Sequence, residues 1–66
     1  MNLFLNGEPA SVPDAVTVAD FLESLGMPVK GVAVERNREI VPKSLFATTR
    51  LAEGDRIEIV QFVGGG

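Results

Sequence analysis

The residues of this chain best suited to chemistry are its last four, Val63-Gly64-Gly65-Gly66. Glycine has no Cβ, so such a segment is thin enough to enter a narrow channel in another protein. Extended, four residues reach roughly 13 Å at ~3.3 Å each. The final carbonyl has no side chain beside it and is open to attack. A free α-carboxylate titrates near ~3.5, so at neutral pH it is an anion and a poor electrophile. Its use requires activation, most directly adenylation by ATP on a partner, which makes one oxygen part of a leaving group. A sulfur donor can then displace AMP and leave a thiocarboxylate. If the chain carries sulfur, the sulfur must sit there. There is no cysteine, and the thioethers of the two methionines cannot accept it. Three glycines also suit a frayed end or a linker. Two features favour a reactive end: they follow a strand-like segment with no spacer, and the sequence stops on glycine.

The rest of the composition excludes competing chemistries. With neither cysteine nor histidine, disulfides, the usual zinc and haem sites, and Cys or Ser–His nucleophiles are ruled out. Sixty-six residues make one domain whose core is too small for a deep catalytic pocket. The net charge is −3, with six basic residues scattered among nine acids, which argues against a nucleic-acid partner. No apolar run approaches the ~18 residues of a membrane span. The apolar start stops at Asn6-Gly7 without a basic leader, so no signal peptide is expected and the expected location is the cytoplasm.

The elements that must position the tail follow from pattern and punctuation. Asn2 to Leu5 reads as a strand, Asn6-Gly7 as a type I′ hairpin turn, and Glu8 to Val12 as a returning strand that Pro9 confines to an edge. Pro13 and Asp14 form a turn. Thr17 and Asp20 form a capping box, and Val16 can staple onto Phe21. Val18, Phe21, Leu22 and Leu25 share one helical face. Gly26 ends the helix in a left-handed conformation, and Pro28 confirms the stop. Val32 to Glu35 is a third strand, with Val32 and Val34 facing inward. Asn37-Arg38 turns the chain into Glu39-Ile40-Val41, which Pro42 closes. In residues 43–50, Ser44 is expected to cap one short helical turn. Glu53-Gly54-Asp55 is a turn, and Arg56 to Phe62 is the last strand, with Ile57 and Ile59 inward.

This order predicts an α+β chain with a β-grasp (ubiquitin-like) fold. Four to five strands form a mixed sheet on one helix, with the first and last strands parallel and adjacent in the middle. Residues 1–62 form the domain and 63–66 its flexible tail. A split βαβ fold needs a second long helix that residues 43–50 cannot supply. Alternation puts Phe4, Val60 and Phe62 on the face away from the core. With Val63, they are the expected partner-binding patch at the root of the tail. Glu35, Arg36, Arg38 and Glu39 read as a solvated hairpin tip. Asp14, Asp20 and Glu23 read as turn, cap and helix surface.

At this point a resemblance becomes specific. The opening MNLFLNG, the central VAVERNREIVPK, the turn LAEGD and the ending IEIVQFVGGG together resemble the ThiS family of sulfur carriers in thiamine biosynthesis. The final Gly-Gly alone is shared with molybdopterin-synthase small subunits and ubiquitin-like modifiers, and QFVGGG favours the thiamine branch. The resemblance implies that the Gly66 carboxylate is adenylated by a ThiF-like adenylyltransferase and converted to a thiocarboxylate. That group then gives its sulfur to thiazole synthase (ThiG). Gly64 and Gly65 provide access. A sulfur donor protein is a further expected partner, and ATP is consumed by the activating enzyme with no cofactor bound to this chain. The chain is expected to be a carrier, not an enzyme, and a monomer when free. Two alternatives stay open: the small subunit of a molybdopterin-synthase-like complex using the same thiocarboxylate, and a ubiquitin-like binding module with an inert tail.

Overall fold

A computed structural model describes residues 1–62. Strand β1 (Asn2–Leu5) and strand β2 (Glu8–Ser11) form an antiparallel hairpin. Asn6 and Gly7 turn it with φ of +49° and +84°, the two positive values a type I′ turn demands. Pro9 falls on β2, which is an edge strand. Its missing N–H therefore costs no ladder bond inside the sheet.

The helix α1 spans Val18–Ser24. Both halves of the expected capping box are present. The Asp20 N–H donates to Thr17 Oγ1, and the Thr17 N–H donates to the Asp20 carboxylate, each at 3.1 Å. Two more first-turn donors are taken up by residues 46–49. The Val18 N–H donates to the Thr49 carbonyl and the Ala19 N–H to the Phe46 carbonyl, both at 2.9 Å. The helix start thus has no orphaned N–H groups, and the same bonds pin residues 46–49 in place. Val18, Phe21 and Leu22 are buried, but Leu25 is 38 % exposed. The helix stops at Ser24, so Leu25 lies at the cap, where the chain is already leaving the core. Gly26 adopts φ +72°, the expected left-handed stop.

Strand β3 (Val32–Arg36) and strand β4 (Glu39–Val41) form a second hairpin through Asn37 and Arg38, at φ +52° and +71°. A 3₁₀ turn covers Lys43–Leu45. Ser44 does not cap it. The N-cap is Pro42, without a side-chain bond, because Pro42 already supplies the extended geometry at the turn's start. The last strand, β5, covers Arg56–Gln61.

The five-stranded sheet runs β2-β1-β5-β3-β4. β1 and β5 are parallel neighbours in the middle, and β5 pairs antiparallel with β3. This is the expected β-grasp arrangement. The core lies between α1 and one sheet face, with Leu3, Leu22, Val32, Val34 and Ile57 almost fully enclosed. Phe46 and Leu51, from the stretch hardest to read in the sequence, close its open end.

Candidate functional site

Strand β5 carries the chain toward the glycine tail, so the site begins with what holds β5. On one side it pairs with β3 from Arg36↔Ile57 to Val32↔Gln61, and the Phe62 N–H donates to the Gly31 carbonyl at 2.8 Å. On the other side, β1 pairs only at Phe4↔Arg56 and Leu5↔Ile57 before it turns away. There the Asn6 side chain replaces a missing strand residue. Its Oδ1 accepts from the Ile59 N–H at 2.8 Å, and its Nδ2 donates to the Ile59 carbonyl at 3.4 Å. A primary amide presents the same donor and acceptor as a peptide group, so it extends the ladder by one step. Val63, Gly64, Gly65 and Gly66 lie outside the described residues.

The sheet face away from α1 carries the expected partner-binding residues. Phe4 is 40 % exposed, Val60 55 % and Phe62 66 %. They do not form one cluster. The register sets Phe4 opposite Arg56, four residues before Val60 along β5, or about 13 Å at ~3.3 Å per residue. The Phe4 ring instead lies under the Arg56 guanidinium, 5.7 Å from its centroid, within cation–π range. Val60 and Phe62 remain together at the end of β5 that leads into residues 63–66. A further apolar side chain on this face, Ile40, is 73 % exposed. It was legible in Glu39-Ile40-Val41, where alternation puts Ile40 opposite the buried Val41.

One polar cluster is structural. Asp55 is 6 % exposed, a position the sequence reading treated as an ordinary turn. Its carboxylate accepts from Arg36 Nε at 2.7 Å, Asn37 Nδ2 at 3.0 Å and the Ala52 N–H at 2.7 Å. Arg36 is therefore not part of a solvated hairpin tip; it is paired with Asp55. Asn37 also accepts from the Arg56 N–H through Oδ1 at 2.9 Å. Burial pushes the Asp55 carboxyl up, but the three donors and the Arg36 charge outweigh it and hold it below its ordinary 3.8. Three of its roughly four lone-pair sites are taken by groups of the chain itself, so its role is structural. Asp14, read as a turn residue, lies 3.3 Å from the N-terminal ammonium. Among the described residues no group of His, Cys, Asp and Glu is arranged to hold a metal ion, and no helix is long and apolar enough to cross a membrane.

The chain as a whole has counterparts among known proteins. The model of the ThiS family matches residues 3–66. The sulfur carrier protein ThiS of Bacillus subtilis is 45 % identical over 65 residues, covering 97 % of this chain and 98 % of that protein. A thiazole synthase of Paramagnetospirillum magneticum is 48 % identical over 66 residues, all of this chain but 20 % of the synthase. The chain thus spans about a fifth of the length of that relative. The crystal structure of the thiamine biosynthesis protein ThiS from Geobacter metallireducens superposes with a TM-score of 0.86 at 35 % identity, over the whole of both chains.

Proposed function

Since the chain belongs to the ThiS family, we propose that it is a sulfur carrier in thiamine biosynthesis, modified at the α-carboxylate of Gly66 and restored each cycle. The observation that carries this reading is a family match running through residue 66, together with a ThiS carrier from Bacillus subtilis that this chain covers almost end to end. The chemistry needs no catalytic residue from this chain. A Gly66 carboxylate oxygen attacks the α-phosphorus of ATP on a ThiF-like adenylyltransferase, and pyrophosphate leaves. Hydrosulfide released by a donor protein then forms a bond to the acyl carbon, AMP departs with the oxygen, and loss of the thiol proton leaves the thiocarboxylate. The thiocarboxylate that results passes its sulfur to thiazole synthase.

Several observations support the roles of partner and surface. A thiazole synthase that itself contains a stretch 48 % identical to this chain supports that enzyme as the acceptor. Val60, exposed on β5, and Phe62, exposed one residue past its end, support a docking surface at the tail root, with Val63 next in sequence. Phe4 is the more distant part of it. Gly64 and Gly65 serve as the thin segment that a narrow active-site channel can admit. The chain acts as a co-substrate of its partners, and a step that consumes ATP fits the cytoplasm.

The test is an intact-mass measurement after incubation with the adenylyltransferase, ATP and a sulfur donor. The expected product is heavier by the difference between one sulfur and one oxygen, and it is absent when Gly66 is deleted. An unchanged mass, under conditions in which the Bacillus subtilis carrier is modified, would sink the proposal. Sulfur transfer to thiazole synthase, as against a pterin acceptor, then separates the thiamine branch from a molybdopterin-synthase-like role.

A further inference from the structure

The outer face of the sheet carries an arrangement that the folding of this chain does not explain. Glu35 on β3 and Glu58 on β5 are direct cross-strand partners, and both are exposed. Like charges set directly opposite destabilise a sheet. The ion pairs among the described residues are Met1 with Asp14 and Arg36 with Asp55, so neither glutamate is neutralised. Arg56, two residues before Glu58, is turned over the Phe4 ring. Beside the two carboxylates lies a depression of about 390 Å³, lined by Ala33, Glu35, Arg38, Ile40, Glu58 and Val60. Ala33 is the smallest of these side chains. The register sets it opposite Val60, and sets Ile40 opposite Glu35. The depression therefore has an apolar part, Ala33, Ile40 and Val60, and a polar part in which two carboxylates, Glu35 and Glu58, outnumber one guanidinium, Arg38.

We propose that this face docks a partner protein that inserts one arginine or lysine side chain into the depression. Its aliphatic stem lies over Ala33 between Ile40 and Val60, and its cationic head lies between Glu35 and Glu58. Only a long basic side chain matches both parts, because its stem covers apolar surface while its head stays polar. An arginine would match best, since its planar fork donates to two carboxylates at once. A neutral or acidic knob would strip water from both carboxylates with nothing in return, so the face discriminates against such partners. Arg38 also borders the depression, in no ion pair among the described residues, and the two carboxylates outnumber it, so the face stays net acidic. The identity of the partner as the adenylyltransferase rests on the carrier reading above; the chemistry of the knob rests on the face alone.

The experiment measures the dissociation constant of the full chain for the purified adenylyltransferase at low and high salt. Its variants are the double substitution Glu35→Gln with Glu58→Gln, Ala33→Leu to fill the floor, and Glu23→Gln, which removes one charge from the helix side. The double glutamine variant should bind at least tenfold more weakly at low salt and lose most of the salt dependence. Ala33→Leu should also bind at least tenfold more weakly while its far-UV spectrum and melting temperature match wild type. Glu23→Gln should stay within twofold. Binding of the glutamine variant within twofold of wild type, or with an unchanged salt slope, overturns the proposal. If Ala33→Leu fails to fold, the glutamine variant alone decides. Wild type that binds through this face but never gains sulfur defeats the carrier reading and leaves the docking proposal standing. Wild type that gains sulfur while the glutamine variant binds equally well does the reverse.

Discussion

Asp55 is the charge on which two turns depend. It joins the β3–β4 hairpin, through Arg36 and Asn37, to the turn that opens β5. All three groups that face it are donors. Asp55→Asn would present an amide NH₂ to one of them, and Asp55→Ala would leave them all without an acceptor. Either change should cost about 2–3 kcal/mol, the usual scale for a broken charged hydrogen-bond set at a partly buried site. The pH dependence follows from the lowered carboxyl. Its stabilising contribution is fully present above the unfolded value of about 4. It is lost as pH falls through the folded value, which lies below 3.8. Urea denaturation of wild type and Asp55→Asn at neutral pH and again below pH 3.8 should therefore show a difference that narrows in acid. A constant difference would mean that Asp55 does not titrate as the geometry requires. The sequence marked Glu53-Gly54-Asp55 as a turn but could not show this role, because Arg36 and Asn37 are nearly twenty positions away and meet Asp55 only when β3 and β5 pair.

At the scale of elements, β5 is the strand that matters, and Asn6 is what completes its pairing on the β1 side. The hairpin signal Asn6-Gly7 was read for its backbone conformation. The structure gives Asn6 a second task, the clasp on Ile59. Asn6→Gly separates the two, since glycine keeps the positive φ at no steric cost and loses only the amide. It should destabilise the chain by about 1 kcal/mol and speed hydrogen exchange at the Ile59 amide. If that amide exchanges as slowly as in wild type, the clasp contributes nothing. The start and the buried face of the helix were legible, because its capping box and its apolar spacing are local signals; only Leu25 fell outside, since the helix stops at Ser24. Residues 43–51 were not. Their order comes from bonds to α1 and from burial of Phe46 and Leu51, and no local pattern encodes either.

The whole molecule divides its labour between the two faces of one sheet. The face against α1 holds the core, and the opposite face leaves Phe4, Ile40, Val60 and Phe62 exposed. A domain of this size has a total stability of about 3–10 kcal/mol, at ~0.05–0.15 kcal/mol per residue. Leu22, fully buried, should cost about 2–5 kcal/mol when changed to alanine, enough to leave a measurable unfolded fraction at 37 °C. Phe62→Ser, on the exposed face, should leave the unfolding midpoint almost unchanged. It should also weaken binding to the activating enzyme tenfold or more, as loss of an aromatic anchor does. A Phe62→Ser chain that unfolds early while binding normally would place Phe62 with the core.

The sequence by itself determined the family resemblance and most of the secondary structure. Those rest on what residues are present or absent and on spacings of a few positions. The turn residues Asn6-Gly7 and Asn37-Arg38, the capping box of Thr17 and Asp20, and the alternation of Ile57 and Ile59 are all of this kind. It also determined the parallel pairing of first and last strands, because a single helix can cover only one face of so small a sheet. Register could be decided only by the tertiary structure, because it depends on which residues face each other across strands distant in the chain. It separated Phe4 from Val60 and Phe62, paired Arg36 with Asp55, and set Glu35 against Glu58. The outward residues proposed as a partner surface were visible in the sequence by alternation. Their division into an apolar end, Val60 and Phe62, and an acidic middle, Glu35 and Glu58, came only from the pairing of β3, β4 and β5.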